Sequence, residues 1–314
     1  MAVIKPSEMK FNDKKFSMII YAAPGTGKTT LASSAPKPFL IDLDKGISRV
    51  KAQHRVVSSF IDKYEELEED FKSPEFKESE TIIIDTGGAL ITYLQDFVMR
   101  KDVVNKTKSG TISMKGFGAV KSEFIALTNK LKTLYNKNII YVFHSQEEKD
   151  KDGIAIQRLL CEGSARNIVW QPCDFGCYLH MRNGKRVAGF SPTDEYFAKG
   201  CYGIEGLVEI PTLNDTDTND FLTRLFEKAR NNIAKESEFF EAEKIEHGKI
   251  MEQGKALVEK VVDEQTANNF ADEFKKLTHK LTSEVEIKAV FKEKLTSLGI
   301  AWDKQKMTYT KKEQ

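Results

Sequence analysis

Short apolar runs alternate with helical stretches from Phe16 to about Pro211, and this alternation is typical of a βαβ sheet with crossover helices. Runs rich in β-branched residues predict six strands of one α/β domain. The last two flank Asn183-Gly184, a dipeptide that suits a tight hairpin turn, so an antiparallel ribbon is expected after the mainly parallel core. The predicted strands are Ser17 to Ala22, Phe39 to Asp42, Thr81 to Asp85, Ile139 to Ser145, Asp174 to Met181 and Arg186 to Phe190.

The chain changes character near Ala234. It then has few glycines and no strand-like run, and 31 of the 80 residues from 235 to 314 are charged. Apolar residues recur at helical spacings on both sides of Asp263, which predicts amphipathic helices that pack on themselves or on the core, or form a coiled coil between copies. The last residues, Thr308 to Gln314, are expected to fray. The sequence predicts an extension over 1–15, an α/β domain over 16–233 and a helical C-terminal region over 234–314.

Composition excludes several classes of protein. The chain is 40% hydrophobic and 10% aromatic, which excludes a wholly disordered or fibrous protein. Its formal net charge is +1, so any nucleic acid must be held by a local patch rather than by a global basic field. The apolar stretches are only strand-sized and the N-terminus is too polar for a signal peptide, so a cytoplasmic protein without membrane contact is expected.

The strongest motif is a phosphate-binding loop after the first predicted strand. The sequence Ala22-Ala23-Pro24-Gly25-Thr26-Gly27-Lys28-Thr29 fits the P-loop pattern except that Ala22 replaces the first glycine. The glycines let the backbone wrap around the β-phosphate, the lysine reaches the β and γ oxygens, and the last threonine ligates Mg²⁺. The predicted ATP-binding residues are Ala23, Pro24, Gly25, Thr26, Gly27, Lys28, Thr29 and Thr30.

Carboxylates end two of the apolar strands. Asp85 follows Ile82-Ile83-Ile84, as expected of the strand whose carboxylate holds Mg²⁺ opposite the P-loop. Asp42 and Asp44 lie at the end of another strand, at the edge where open parallel sheets bind ligands. One of them is expected to orient the attacking water and accept its proton, with Asp44 as first choice. The alternative for either is an ordinary strand-end or capping role.

Polar residues also follow the apolar run from Ile139 to Phe143. A side chain there can touch the γ-phosphate and the loop beyond, and so report hydrolysis. His144 and Gln146 compete for this role, and a plain strand-to-loop transition is the alternative.

The four cysteines suggest two interpretations. Cys173, Cys177 and His180, together with Cys161 and Cys201, resemble a zinc set. However, residues two or four apart on a strand share a face, which separates His180 from the other two, and the spacing does not match a zinc knuckle or ribbon. We therefore expect reduced core thiols, which also suit a reducing cytosol.

The order of these parts resembles the RecA-like ATPases, and more narrowly the phage-encoded RecA-like nucleotide-binding proteins of recombination modules. The resemblance covers about residues 16–210 and is carried by the P-loop, Asp42-Leu43-Asp44, Asp85, His144-Ser145-Gln146 and a hairpin with basic residues. It implies a RecA-like core that binds ATP and Mg²⁺, assembles as a homo-oligomer and, if phage-encoded, lies in the cytoplasm of a bacterial host.

The resemblance also implies contacts outside the P-loop. A cation from a neighbouring subunit, here Arg182 or Arg186, would complete the site. Two loops would face DNA, here Arg100 to Lys121 and Glu147 to Arg158. Charge supports only the first of these, which carries six cations, one acid and an aromatic residue, whereas acids outnumber cations in the second.

The prediction is a Mg²⁺-dependent, DNA-stimulated ATPase that acts on single-stranded DNA in phage recombination or annealing, with a single-strand-binding or other recombination protein as a further partner. The alternative is an ATP-dependent loader or interaction switch that binds a protein through its helical tail and never contacts DNA. The sequence lacks an Arg-rich lid and an Asn-Lys-x-Asp motif, which disfavours a small-molecule kinase and a GTPase.

Overall fold

The computed structural model describes residues 11, 13–149, 152–161, 165–214 and 216–311. The chain forms two compact units, divided between Asn232 and Ile233. Its strands and helices are β1 Ser17–Ala22, α1 Lys28–Ala32, β2 Pro38–Asp42, β3 Val57–Ser59, α2 Leu67–Asp70, α3 Pro74–Glu78, β4 Thr81–Asp85, α4 Gly87–Lys101, α5 Met114–Asn129, β5 Asn138–Lys149, β6 Ala155–Leu159, α6 Ala165–Trp170, β7 Phe175–Arg182, β8 Lys185–Gly189, β9 Leu207–Glu209, α7 Phe221–Glu259, α8 Glu264–Phe274, α9 Ser283–Ser297, β10 Ile300–Asp303 and β11 Thr308–Lys311.

A nine-stranded sheet forms the centre of the first unit. Its strands lie in the order β3-β2-β4-β5-β1-β7-β8-β9, and β6 pairs with β5 outside this path. The six strands from β3 to β7 in this order run parallel, whereas β8, β9 and β6 pair antiparallel. Asn183 and Gly184 both have positive φ in the turn between β7 and β8. The predicted α/β fold with a mainly parallel sheet and an antiparallel hairpin is confirmed.

The register of the sheet brings the ends of β1, β2 and β4 to one edge, beside His144 of β5. Ala22 at the end of β1 pairs with His144 of β5, and Asp42 at the end of β2 pairs with Asp85 at the end of β4. Every residue of β1 and β4 is buried, as in parallel strands that are covered on both faces. The buried strands therefore hold the residues that follow them at fixed positions along this carboxyl edge.

The second unit contains helices and a small sheet. Asp263 caps α8 through a capping box with Thr266. A Cβ atom on Gly254 of α7 would lie 2.3 Å from Ile287 of α9, so glycine permits the close approach of these two helices. The helical tail is confirmed, but β10 and β11 form an antiparallel pair. The expected fraying from Thr308 is wrong for Thr308–Lys311, because these residues pair with β10.

None of the helices in the described part of the chain is both long and apolar enough to span a membrane.

Candidate active site

The P-loop connects β1 to α1. Gly25 and Gly27 have φ angles of +76° and +86°, a region that glycine adopts without steric cost. A Cβ atom on Gly27 would also lie 2.8 Å from Nη1 of Arg186, which is the flexible end of that side chain, so the positive φ is the main requirement for glycine there. Thr26 Oγ1 donates to the carbonyl oxygen of Ala23 at 2.9 Å, inside the turn. The predicted nucleotide-binding residues from Ala23 to Thr30 all lie in this loop or on the first turn of α1.

Lys28 is the first residue of α1 and is 6% exposed. Its Nζ donates to the carbonyl oxygens of Ala22 at 3.2 Å and Ala23 at 2.9 Å. Burial lowers the pKa of the amine, and the nearby carboxylates of Asp85 and Asp44 oppose this effect. The amine is therefore held at the loop by carbonyl contacts that phosphate oxygens can replace.

Thr29 and Asp85 meet across the loop. Thr29 Oγ1 donates to Oδ2 of Asp85 at 2.5 Å, although the two residues are far apart in the sequence. Asp85 is 7% exposed, and burial raises its pKa while the Thr29 hydroxyl and the Lys28 amine lower it. A hydroxyl and a carboxylate beside the P-loop are oxygen donors of the kind that Mg²⁺ prefers, so the residues fit this metal.

The two candidates for positioning water have different surroundings. Asp42 is 1% exposed, and its carboxylate accepts hydrogen bonds from the backbone N–H groups of Gly46 and Ile47 at 2.9 and 2.8 Å. The side chain of Asp44 is 30% exposed, and its Oδ2 lies 3.7 Å from Nε2 of His144. The neighbouring imidazole of His144 holds the pKa of Asp44 below its usual value, and the Thr86 hydroxyl acts in the same direction. The carboxylate of Asp42 is thus used by the fold, whereas that of Asp44 is available to chemistry.

His144 and Gln146 lie two residues apart on β5, so they share a face of the strand. Both line a cavity of about 610 Å³ together with Asp44. Gln146 donates through Nε2 to Oε1 of Glu148 at 2.5 Å, and Glu148 also forms a two-contact ion pair with Arg166. Of the two candidate residues, His144 therefore lies next to Asp44. Gln146 connects the cavity to α6 through Glu148 and Arg166.

Arg186 lies beside the P-loop of its own chain. Its guanidinium is the nearest group to the position that a Cβ atom would take on Gly27, and its Nε is buried without a hydrogen-bond partner in the described structure. The resemblance implies a cation supplied by a neighbouring subunit, and this role of Arg186 stays a prediction; in its own chain β8 brings the Arg186 side chain close to the P-loop. Arg182 is exposed at the end of β7, and its role stays a prediction.

The first predicted DNA loop is an ordered segment. It contains a 3₁₀ turn (Val103–Asn105), a bridge between Lys106 and Ile112, and the first two turns of α5. Local hydrogen bonds therefore order this segment. Arg100 and Lys101 form ion pairs with Glu65 and Glu123.

The other four lysines of this segment remain exposed, and no acid of the described chain pairs with them. They are Lys106, Lys108, Lys115 and Lys121.

The second predicted loop is also ordered. β5 continues to Lys149, beyond its predicted end at Ser145, and pairs antiparallel with β6. Glu147–Lys149 and Ala155–Arg158 are therefore paired strands of this segment, and residues 150 and 151 lie outside the described residues. Sequence reasoning missed β6 because Ala155–Leu159 is short and half-polar.

The cysteines lie in or near the sheet. Cys161, Cys173 and Cys177 are buried, Cys201 is half-buried, and no disulfide joins them in the described structure. Burial raises the pKa of the Cys173 thiol to about 12. No cluster of metal-ligating side chains occurs among the residues that the structure describes.

Sequence reasoning missed Thr86 and Arg166. Thr86 caps α4 by accepting a hydrogen bond from the Ala89 N–H at 3.2 Å, and its hydroxyl donates to Oδ1 of Asp44 at 3.4 Å. A threonine directly before the apolar helical run from Gly87 is a recognisable N-cap pattern, which gives a signal for this residue. Arg166 has no comparable signal, because its partner Glu148 lies in a different element.

Comparisons with known proteins place the first unit in a family. A family model described as an AAA domain matches residues 14–202, which is more than half of the chain. A solved structure of a KaiC-like protein from the hyperthermophilic archaeon Pyrococcus horikoshii OT3 is similar with 11% identity and a TM-score of 0.35, over 62% of this chain and 89% of that chain. The flagellar accessory protein FlaH from Methanocaldococcus jannaschii has 12% identity and a TM-score of 0.30, over 63% and 90% of the respective chains. No curated protein matches the sequence.

Proposed function

We propose that this chain, which belongs to the AAA domain family, is a Mg²⁺-dependent ATPase that acts on single-stranded DNA in phage recombination or annealing. The observation that carries the nucleotide part is the contact of Thr29 with Asp85 beside Lys28 and the glycines of the P-loop. These groups form one oxygen-rich and cationic site at the carboxyl edge of the sheet. Such a site suits a nucleoside triphosphate with its metal ion.

The site divides the chemical tasks among its residues. Lys28 and the P-loop backbone bind the phosphates, while Thr29 and Asp85 hold Mg²⁺, which when bound neutralises charge on the phosphate oxygens. Asp44 orients a water molecule and accepts its proton, since its carboxylate lines the cavity and Thr86 and His144 fix its position. Arg186 contributes a cation from the same chain near Gly27.

The basic segment supports DNA as the second ligand. The four lysines from Lys106 to Lys121 carry unneutralised charge, and Phe117 is 37% exposed among them. α5 leads through a π-helical turn (Lys130–Leu134) into the amino end of β5, so the beginning of α5 lies towards the carboxyl edge that carries the P-loop. Lysines that neutralise phosphates and an aromatic ring that stacks on bases are the components of a single-strand contact.

Salt dependence of DNA binding tests this assignment. Binding to single strands should weaken with salt at a log–log slope of about −0.7 per phosphate contact. Replacing Lys106, Lys108 and Lys115 together by alanine should flatten this slope by up to about 2 units. The matched control replaces three exposed lysines outside the segment, Lys63, Lys77 and Lys228, and should leave the slope unchanged.

DNA binding and ATP binding are both measured for every variant. ATP binding, measured in parallel, reports whether each variant has folded. A folded triple variant of the segment that binds single strands with the parental affinity and salt slope would remove the segment from the mechanism. That outcome favours the interaction switch, in which the segment is a solvated surface.

A further inference from the structure

The second unit contains a large cavity that the proposed ATPase site does not use. Its volume is about 890 Å³, and its lining comes from α8, α9, β10, β11 and the segments that join them. Three stacked or neighbouring rings form its floor: Phe270 lies 3.9 Å from Phe291 and 5.4 Å from Phe274, measured between ring centroids. Trp302, on its wall, is 46% exposed. The cavity is therefore an open aromatic pocket.

The rim of this pocket is positively charged. Lys275, Lys288 and Lys292 line it, against the single acid Glu284. Glu284 pairs with Lys288, and Asp272 pairs with Lys275 at 3.7 Å, whereas no acid of the described chain pairs with Lys292. An aromatic floor with a cationic rim favours a ligand that presents apolar side chains within an acidic surface.

The same unit exposes a surface with these properties. In α7 the segment Glu236–Glu246 carries five glutamates and one lysine. Within it Phe239 is 69% exposed and Phe240 is 48% exposed. Glu236 precedes them by three and four residues, which places its carboxylate next to both rings on the helix surface. Among the residues that the structure describes, these two adjacent phenylalanines of an acidic helix stay exposed rather than packed.

The fold keeps this segment out of the pocket of its own chain. Glu243 of α7 forms an ion pair with Lys280, and Gly254 packs closely against Ile287. These contacts fix the helix while Phe239 and Phe240 stay exposed and apart from the residues that line the pocket. The occupant that the chain offers is therefore the segment of another copy.

We propose that Phe239 and Phe240 of one copy insert into the pocket between α8, α9 and β10–β11 of a second copy, with the glutamates of α7 facing Lys275, Lys288 and Lys292. The two surfaces are different, so each copy uses its pocket for one neighbour and its α7 segment for another. Such a head-to-tail contact continues into a closed ring or a filament. The inference concerns association alone and does not depend on the ATPase assignment.

Sedimentation velocity of the full-length chain without nucleotide tests this contact. One variant, Phe239→Ser with Phe240→Ser, removes the inserted rings, and another, Lys288→Glu with Lys292→Glu, reverses the rim. Each is expected to weaken association at least tenfold. Val262→Ser with Val285→Ser removes two other exposed apolar side chains of the unit and should leave association unchanged. All of these side chains are exposed, and circular dichroism checks that each variant folds.

A mixture of the two variants gives the sharper result. The phenylalanine variant (Phe239→Ser with Phe240→Ser) keeps its pocket, and the lysine variant (Lys288→Glu with Lys292→Glu) keeps its phenylalanines. An equal mixture should therefore form a heterodimer joined by one intact contact. A parent chain that stays monomeric at all concentrations, variants that associate like the parent, or a mixture that stays monomeric would each overturn the proposal. In those cases an acidic segment of a different protein becomes the candidate occupant.

Discussion

Replacing Thr29 by valine removes one hydroxyl and keeps the shape of the side chain. In the structure this hydroxyl donates to the carboxylate of Asp85 at 2.5 Å, in a site where Asp85 is 7% exposed. Burial raises the pKa of Asp85, and the Thr29 hydrogen bond lowers it. The valine variant should therefore have a higher Asp85 pKa than the parent, and it also lacks one ligand for Mg²⁺.

The expected loss of Mg²⁺–ATP affinity follows from the free energy that this hydrogen bond contributes. A hydrogen bond to a charged group contributes about 1.5–3 kcal/mol, so a loss of that size in Mg²⁺–ATP binding raises the Kd roughly 10- to 150-fold. Mg²⁺ binds the ionised carboxylate, and a raised pKa lowers the ionised fraction as the pH falls. The defect should therefore deepen from neutral to mildly acidic pH.

The assay is calorimetric titration of ATP at a series of Mg²⁺ concentrations, at neutral and at mildly acidic pH. Thr29→Ser is the matched control, because it keeps the hydroxyl and should bind close to the parental affinity. If folded Thr29→Val binds Mg²⁺–ATP as tightly as the parent at both pH values, Thr29 and Asp85 do not hold the metal.

Three further predictions concern the same site. Lys28→Ala should abolish ATP hydrolysis without changing the circular dichroism spectrum, since the amine binds the β and γ phosphates, and normal turnover would contradict the P-loop assignment. Asp44→Asn should keep ATP binding and lower kcat at least about 100-fold. Asp42→Asn should instead lower the free energy of unfolding by about 1–3 kcal/mol, because the Asp42 carboxylate binds two backbone N–H groups; the reverse pattern would exchange their roles. His144→Ala should move the acidic limb of the pH–rate profile of hydrolysis to higher pH, because His144 lowers the pKa of Asp44; an unmoved limb would separate His144 from this carboxylate.

The buried strands and the P-loop could be predicted from the sequence because their signals are local. β1 and β4 have the predicted bounds, since each is a continuous apolar run that is covered on both faces. The carboxylates that end β2 and β4 were placed at one edge by the rule that parallel strands end together. The choice between Asp42 and Asp44 depended on the turn after β2, whose backbone N–H groups bind Asp42.

Features that depend on tertiary structure could not be predicted. The position of Arg186 beside Gly27 results from the path of β8 across the sheet, which no local pattern records. β5 extends as far as Lys149 because its last residues pair with β6. The residues after Phe143 are polar, so the sequence carried no signal for this extension. Trp302 and Tyr309 pair across two four-residue strands in a highly charged region, where charge hides a short alternation.

The central claim is that ATP turnover responds to single-stranded DNA, and steady-state ATP hydrolysis by the full-length chain, with and without an unstructured single strand, tests it most directly. At low salt and saturating Mg²⁺ the account predicts strong stimulation by the single strand, which fades as salt rises because the contact is made by lysines. An unchanged hydrolysis rate together with tight ATP binding would contradict the claim.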